Sequence, residues 1–372
     1  NIQAIQLRGL DYDDPLYDQV LDEVSLQDML NTYCALMNSN EDIVMPKENG
    51  ADSPVGLLGT IGKYTAGTIY EVAEDDPSYG HSTAVYVSEN VVAATFSHEL
   101  SSEQGRLIGN AGLWDGYTEW NAPGLNIHRN QYNARNLEYY SEDPILTGAM
   151  GANVYRQAVA YGLVVAGKHF AFNDQETNRD GVAVFLGEQA ARENELRAFQ
   201  GAMENNYAQG IMTGFNRLGT VYSGASEASQ VQVARNEWGF EGWIVTDMIN
   251  GADYMNWRDI VFGGGGGCLT TSAYESANIG SMTSTENLKL IAKDSAFQKK
   301  MKETIKYFVY NTVASNDMNT ITTSTKYIHV LTWWQIAFMA AEVVFGLLTL
   351  LFAVMYLRNS LRKKTVYVKE DK

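Results

Sequence analysis

The stretch GLVVAGKHF, Gly162–Phe170, runs a short apolar segment straight into a lysine and a histidine. Working outward, similar short apolar segments recur at Val91–Phe96, Asn121–Ile127, Gly210–Phe215 and Trp243–Asp247, separated by longer stretches of helical character. This alternation predicts repeated βα units and a parallel sheet. Between the Gly162 and Gly210 segments, Leu186, Ala190, Leu196, Phe199 and Met203 recur at spacings of one buried helix face. Glu188, Arg192, Glu193 and Arg197 are left for the wet side. No repeat of fixed period is present, which argues against solenoids and propellers.

Polar residues cluster at the ends of these segments: Lys168-His169 after LVVAG, Asn216-Arg217 after GIMTGF, and Asp247 after WIVT. In an α/β barrel the active site is built at the C-terminal strand ends, so these positions are the candidates for chemistry. A carboxylate that finishes an apolar strand is costly to bury without a partner or a purpose. Taken alone, Asp247 reads equally as a helix N-cap, a buried ion pair or a functional group.

The chain has 372 residues, 45% of them hydrophobic, enough for a large core. Its net charge of −17 argues against a nucleic-acid partner, because phosphate binding needs clustered Lys and Arg. A neutral ligand such as a sugar suits this balance. Cys34 and Cys268 have no metal-ligand or redox spacing and read as small buried residues, with a disulfide between them left open. The chain begins at Asn1 with no signal-peptide pattern, which suggests a segment removed upstream.

WWQIAFMAAEVVFGLLTLLFAVMYL, Trp333–Leu357, is interrupted only by Glu342. As a helix of this length it would span about 37 Å, enough to cross a hydrocarbon core of about 30 Å. Interfacial Trp333, Trp334 and Tyr356, followed by Arg358, Arg362, Lys363 and Lys364, put the C-terminus in the cytoplasm and the body outside. The expected organisation is a body over 1–280, a helical and Thr/Ser-rich stalk over 281–332, the membrane helix over 333–357 and a basic tail over 358–372. Within the stalk, an amphipathic helix is expected around Phe297–Val313.

Five segments together resemble the N-terminal barrel domain of glycoside hydrolase family 3. They are ADSPVGL (Ala51–Leu57), NAPGLNIHRNQYNARNLEYYSEDP (Asn121–Pro144), KHFAFNDQETNRDG (Lys168–Gly181), MTGFNRLG (Met212–Gly219) and RNEWGFEGWIVTDM (Arg235–Met248). They stand in the family's order and, with the intervening helices, extend from about Tyr12 to Gly267. The resemblance implies a (β/α)8, TIM-like barrel, irregular at its last strand where Gly263–Gly267 replaces the usual pattern. It implies Asp247 as the nucleophile of a retaining glycosidase, with Asp52, Arg135, Lys168, His169 and Met212 binding the sugar. No metal or organic cofactor is implied. Glu176, Arg179 and Arg217 lie in matched motifs and either shape or support the pocket.

Each assignment competes with a plainer one. Arg135 also reads as a salt bridge to Glu138 or Glu142, Lys168 as an ion pair with Asp174 or Glu176, and His169 as a satisfied core histidine. Ser53 replaces a family glycine, which would matter if φ had to be positive there. Phe215 and Met248 also depart from the common residues.

A retaining mechanism needs a protonated acid for the leaving group. In many family members it lies in an α/β sandwich domain, which no segment here resembles. It is expected from an upstream segment or another chain. The implied activity is exo-acting hydrolysis of β-linked glucosides or oligosaccharides, by a single-pass protein of the cell membrane with its barrel outside. The alternative is a membrane-anchored, non-catalytic sugar-binding module.

Overall fold

In the computed structural model, the described residues are 2–33, 39–57, 83–249, 254–269, 285–328, 330–364 and 366–368. The chain forms two compact units, Asn1–Thr325 and Lys326–Lys372. Cys34 falls outside the described residues, and with it the question of pairing; Cys268 is buried.

The centre of the first unit is a parallel sheet of five strands. These are β1 (Gly50–Ala51), β2 (Glu119–Trp120), β3 (Val164–Phe170), β5 (Gly210–Thr213) and β8 (Trp243–Val245), side by side in chain order. A second sheet holds β4 (Ala183–Val184), β6 (Arg217–Leu218) and β7 (Val221–Tyr222). Beyond β8, Gly267 forms a parallel bridge to Val245, so the glycine run extends the sheet rather than looping away from it. Among the described residues the main sheet therefore has five strands, with bridges from Gly124 to Lys168 and from Gly267 to Val245, and a closed ring of eight is not among them.

Successive strand residues point to opposite faces, and here both faces are buried. Val164, Ala166, Met212, Trp243 and Val245 join one core cluster, while Val165, Phe170, Ile211 and Ile244 join the other. This is why these strands read as unbroken apolar runs. The second cluster is covered by helices His98–Asp115, Pro144–Ala160 and Arg197–Glu204. The first two pack closely because Gly105 leaves no side chain there: a Cβ would come within 2.4 Å of the Val154 carbonyl oxygen. Ser97 accepts a hydrogen bond from Leu100 N at one helix start, and Asp143 with Pro144 begins the other.

Three expectations need correction. Val91–Phe96 is not a strand: Glu89–Ala94 is helical, preceded by Ser88 in an N-cap position. In the Asn121–Ile127 region the strand pairing lies earlier, at Glu119–Trp120, and Pro123, which lacks an N–H, begins an irregular crossing of the sheet end. The polar stretch after Ser281 is not a stalk throughout: residues 322–328 are exposed or half-buried, but the helix before them packs into the body. Helix Ser295–Ala314 buries Phe297, Met301, Ile305, Phe308 and Val309 in the first cluster. At about 1.5–3 kcal/mol per such side chain, this face belongs to the folded body.

The second unit contains helix Trp333–Ser360, 28 residues long and apolar, with no buried residue. Thr332 and Gln335 form a capping box at its start. Its length of about 42 Å exceeds a bilayer core of about 30 Å. It is the one helix among the described residues long and apolar enough to cross a membrane.

Candidate active site

The C-terminal ends of the strands converge on one group of charged side chains. β3 ends in Lys168 and His169, whose backbone is clamped by the loop that follows β2. Lys168 N donates to Pro123 O at 2.9 Å and Leu125 N donates to Lys168 O at 2.6 Å. Asn126 closes the clamp on His169, accepting from its N–H at 2.7 Å and donating to its carbonyl at 3.0 Å. The loop can lie this close because residue 124 is glycine: a Cβ there would sit 2.2 Å from the Glu138 carbonyl oxygen.

Lys168 is 2% exposed, and its ammonium is held between two carboxylates, Asp52 and Glu138, the latter at 2.9 Å. Glu138 in turn accepts a bidentate pair from Arg135, Nε at 2.7 Å and Nη2 at 2.8 Å. Arg135 continues to Glu176 at 3.7 Å, and Glu176 to Arg179 at 3.0 Å. Burial alone would push the Glu138 carboxyl up, but Lys168 and Arg135 outweigh it and hold it below the usual range. Burial likewise opposes the charge on Lys168, and Asp52 and Glu138 more than restore it. The expected partners Asp174 and Glu176 are not those of Lys168; Asp174 pairs with Arg129 at 3.3 Å.

Asp247 follows β8, its N–H bonded to Thr213 O at 3.1 Å across the strand end. One carboxylate oxygen accepts from Met248 N at 2.7 Å, and the other lies 3.4 Å from His169 Nε2. Its side chain is 14% exposed. Burial pushes its carboxyl up to about 6, against the pull of the Met248 N–H and of Lys168, Arg135 and Arg179. It is therefore mainly ionised at pH 7 yet poorly solvated, as suits a nucleophile.

His169 is kept neutral, its pKa pushed well below 6.5 by burial and by Arg135, Lys168 and Arg179. The Tyr139 hydroxyl lies 3.2 Å from its Nδ1, and burial keeps that hydroxyl protonated. A proton donated by Tyr139 to Nδ1 would place the ring proton on Nε2, the nitrogen 3.4 Å from Asp247.

Five of the six sequence-predicted residues, Asp52, Arg135, Lys168, His169 and Asp247, thus join one group. Met212 pairs in register with Lys168 on β5 but is 1% exposed, within the core cluster. Ser53 is not in a positive-φ conformation; it is buried, and its carbonyl accepts from Trp120 Nε1 at 3.0 Å. Arg179 stacks over Phe215 at 4.2 Å. Sequence reasoning missed Glu138 as a member of the site, seeing it only as a competing partner for Arg135. The signal was its three-residue spacing from Arg135, but its contact with Lys168 was not visible in the chain. Among the described residues no group of three or more His, Cys, Asp and Glu is arranged to hold a metal ion.

Residues 79–259 match the profile described as Glycosyl hydrolase family 3 N terminal domain. A β-glucosidase of Ruminococcus albus is 35% identical over 157 residues, covering 42% of this chain and 17% of the relative. A β-glucosidase of Rhizobium radiobacter is 28% identical over 236 residues, covering 62% and 27%. Among solved structures, β-glucosidase 3B from Thermotoga neapolitana in complex with α-D-glucose superposes with a TM-score of 0.69 at 25% identity, covering 81% of this chain and 44% of that one. A β-glucosidase from Paenibacillus barengoltzii shares the fold, with a TM-score of 0.70 at 20% identity over 89% of this chain and 36% of that one. The chain spans less than half the length of each of these relatives.

Proposed function

We propose that this chain, which carries a glycosyl hydrolase family 3 N-terminal domain with β-glucosidase homologues, is the nucleophile-bearing half of an exo-acting, retaining β-glucosidase. The observation that carries the reading is the Asp247 carboxylate, buried at a strand end and facing neutral His169, beside the paired charges of Lys168, Glu138, Arg135 and Asp52. In this reading Asp247 attacks the anomeric carbon, and the bond to the leaving oxygen breaks as the glycosyl–enzyme ester forms. Water then releases the sugar with overall retention.

Asp52, Lys168, Arg135 and His169 are well suited to grip sugar hydroxyls, because preorganised charged and neutral groups make directional bonds to a polyol. Met212 supports the wall beneath Lys168. The positive field of Lys168, Arg135 and Arg179 keeps Asp247 ionised near neutral pH. The acid that protonates the leaving oxygen is assigned to a separate α/β sandwich domain, in keeping with the chain's short span of its relatives. Closure of the five-stranded sheet into a (β/α)8 barrel belongs to the same proposal, as does bilayer insertion of helix Trp333–Ser360 with the domain outside the cell membrane and Arg358, Arg362, Lys363 and Lys364 inside.

The test is labelling by a mechanism-based 2-fluoro aryl β-glucoside. An activated aryl group departs with little acid assistance, so the chain can be labelled without its acid. Mass spectrometry is expected to locate the adduct on Asp247. An adduct on another residue, or no adduct together with no turnover of activated aryl β-glucosides, sinks the reading.

A further inference from the structure

A cleft of about 880 Å³ opens between the loop after β2 and the loop after β3, lined by residues outside the Asp247 group. This volume lies within the range of about 300–1,000 Å³ typical of small-molecule sites. Its lining includes Tyr132, 84% exposed, and Phe185, 75% exposed. The amides of Gln131, Asn136 and Gln175 line it too.

The charges at its base are largely spent on one another. Arg129 pairs with Asp174 at 3.3 Å and approaches Glu195 at 3.8 Å. Burial and the neighbouring Asp174 push Glu195 up to about 9, so it is neutral at pH 7. Asp174 is 6% exposed, lines the cleft and shares a hydrogen bond with the neutral Glu195 carboxyl. The cleft thus offers two exposed aromatic faces and several amides, with no excess of positive charge. An anion is disfavoured, and a wholly apolar ligand would strand the amides. Alternating apolar C–H faces and hydroxyls are the properties of a carbohydrate, which can stack on aromatic rings while bonding to amides.

We propose that this cleft is a second carbohydrate-binding site, which takes a neutral oligosaccharide separately from the sugar subsite at Asp247. Only the ligand's class leans on the glycoside reading above. The two sites share loops, since Asn136 follows Arg135 and Gln175 precedes Glu176. The occupant engages the Tyr132 and Phe185 rings and bonds to the lining amides.

The test is calorimetric titration of the full chain in detergent, as the Asp247→Asn variant to prevent turnover, with β-1,4- and β-1,3-linked glucose pentasaccharides. Binding is expected to persist when glucose saturates the Asp247 subsite. Tyr132→Ala and Phe185→Ala, built in the same background, are each expected to weaken it about tenfold. In the native background the same two changes should leave fluorosugar labelling unchanged, which also reports that they fold. Full displacement by glucose, equal affinity in the double variant, or no binding of either pentasaccharide overturns the proposal. Pentasaccharide binding without fluorosugar labelling would sink only the hydrolase reading, and labelling without pentasaccharide binding only this one.

Discussion

Beyond the C-terminal ends of the strands, Glu138 is buried between Lys168 and Arg135, whereas at the N-terminal ends Glu48 and Glu119 are buried facing one another. The first carboxyl is held below its usual range by the two cations, against the effect of burial. In the second group, burial and mutual repulsion raise Glu48 well above its usual value, burial takes Glu119 up to about 8, and burial takes Asp317 to about 7. Thr312 donates to Glu48 at 2.8 Å, but among the described residues no Lys or Arg pairs with these acids. Burial pushes all of these carboxyls up, and it is outweighed only at Glu138, where Lys168 and Arg135 stand close. The end with cations can present ionised groups to a ligand; the other tends toward neutral, proton-holding acids.

Breaking the charged end at Asp247 should give the largest effect. Asp247→Asn is expected to lower kcat on activated aryl β-glucosides by about 10³-fold or more. Little change would remove Asp247 from the reaction.

Next comes the charge balance. Glu138→Gln leaves Lys168 and Arg135 with fewer anionic partners and should cost roughly 3 kcal/mol of stability, in the range for breaking a buried pair. It should also lower kcat/KM by about 10²-fold through the misplaced Lys168 and Arg135. Denaturant melts and steady-state kinetics read the two effects separately, and a stable, fully active variant would show that Glu138 does not position these cations.

The pH profile sharpens the comparison further. With Asp247 titrating at about 6, kcat/KM should fall on the acid side with a midpoint near that value. The folded pKa lies above the ordinary aspartate value of 3.8, so the folded state binds more protons between the two values. Stability from this group is then fully present below 3.8 and lost as pH rises through about 6. Asp247→Asn should melt higher than the native chain above pH 6, by a few degrees, with the gain gone near pH 4. No pH dependence in that gain would contradict the raised carboxyl.

The smallest functional effect is expected at the other end. Glu119→Gln replaces an acid that tends to stay protonated, so activity should change by less than about twofold. Its folded pKa of about 8 lies above the ordinary glutamate value of 4.5, so its cost to stability grows as pH rises from 4.5 to 8. The variant should gain thermal stability across that interval and hold the gain above it. A loss of stability at pH 8 would mean that Glu119 is ionised and paired.

Much of the fold was legible in the chain. Gly162–Phe170, Gly210–Phe215 and Trp243–Asp247 read as strands because residues buried on both sheet faces leave an uninterrupted apolar record. Val91–Phe96 left a similar record while forming a helix, since a four-residue apolar run does not distinguish the two periods. Helix Ser295–Ala314 was recognised as amphipathic but misplaced as stalk, because its polar face dominates the composition while its apolar face is covered by residues far away in the chain.

The sequence by itself determined the alternation of short strands and helices, the apolar C-terminal helix, and the residue types at the strand ends, because each is written in local pattern. It took the folded chain to show that Lys168 lies between Asp52 and Glu138, that the Tyr139 hydroxyl meets His169 Nδ1, and that Glu138 is charged while Glu119 tends to neutrality. Those outcomes depend on burial and on which charges lie within a few ångströms, and residues 116 positions apart in the chain, as Asp52 and Lys168 are, carry no local mark of that meeting.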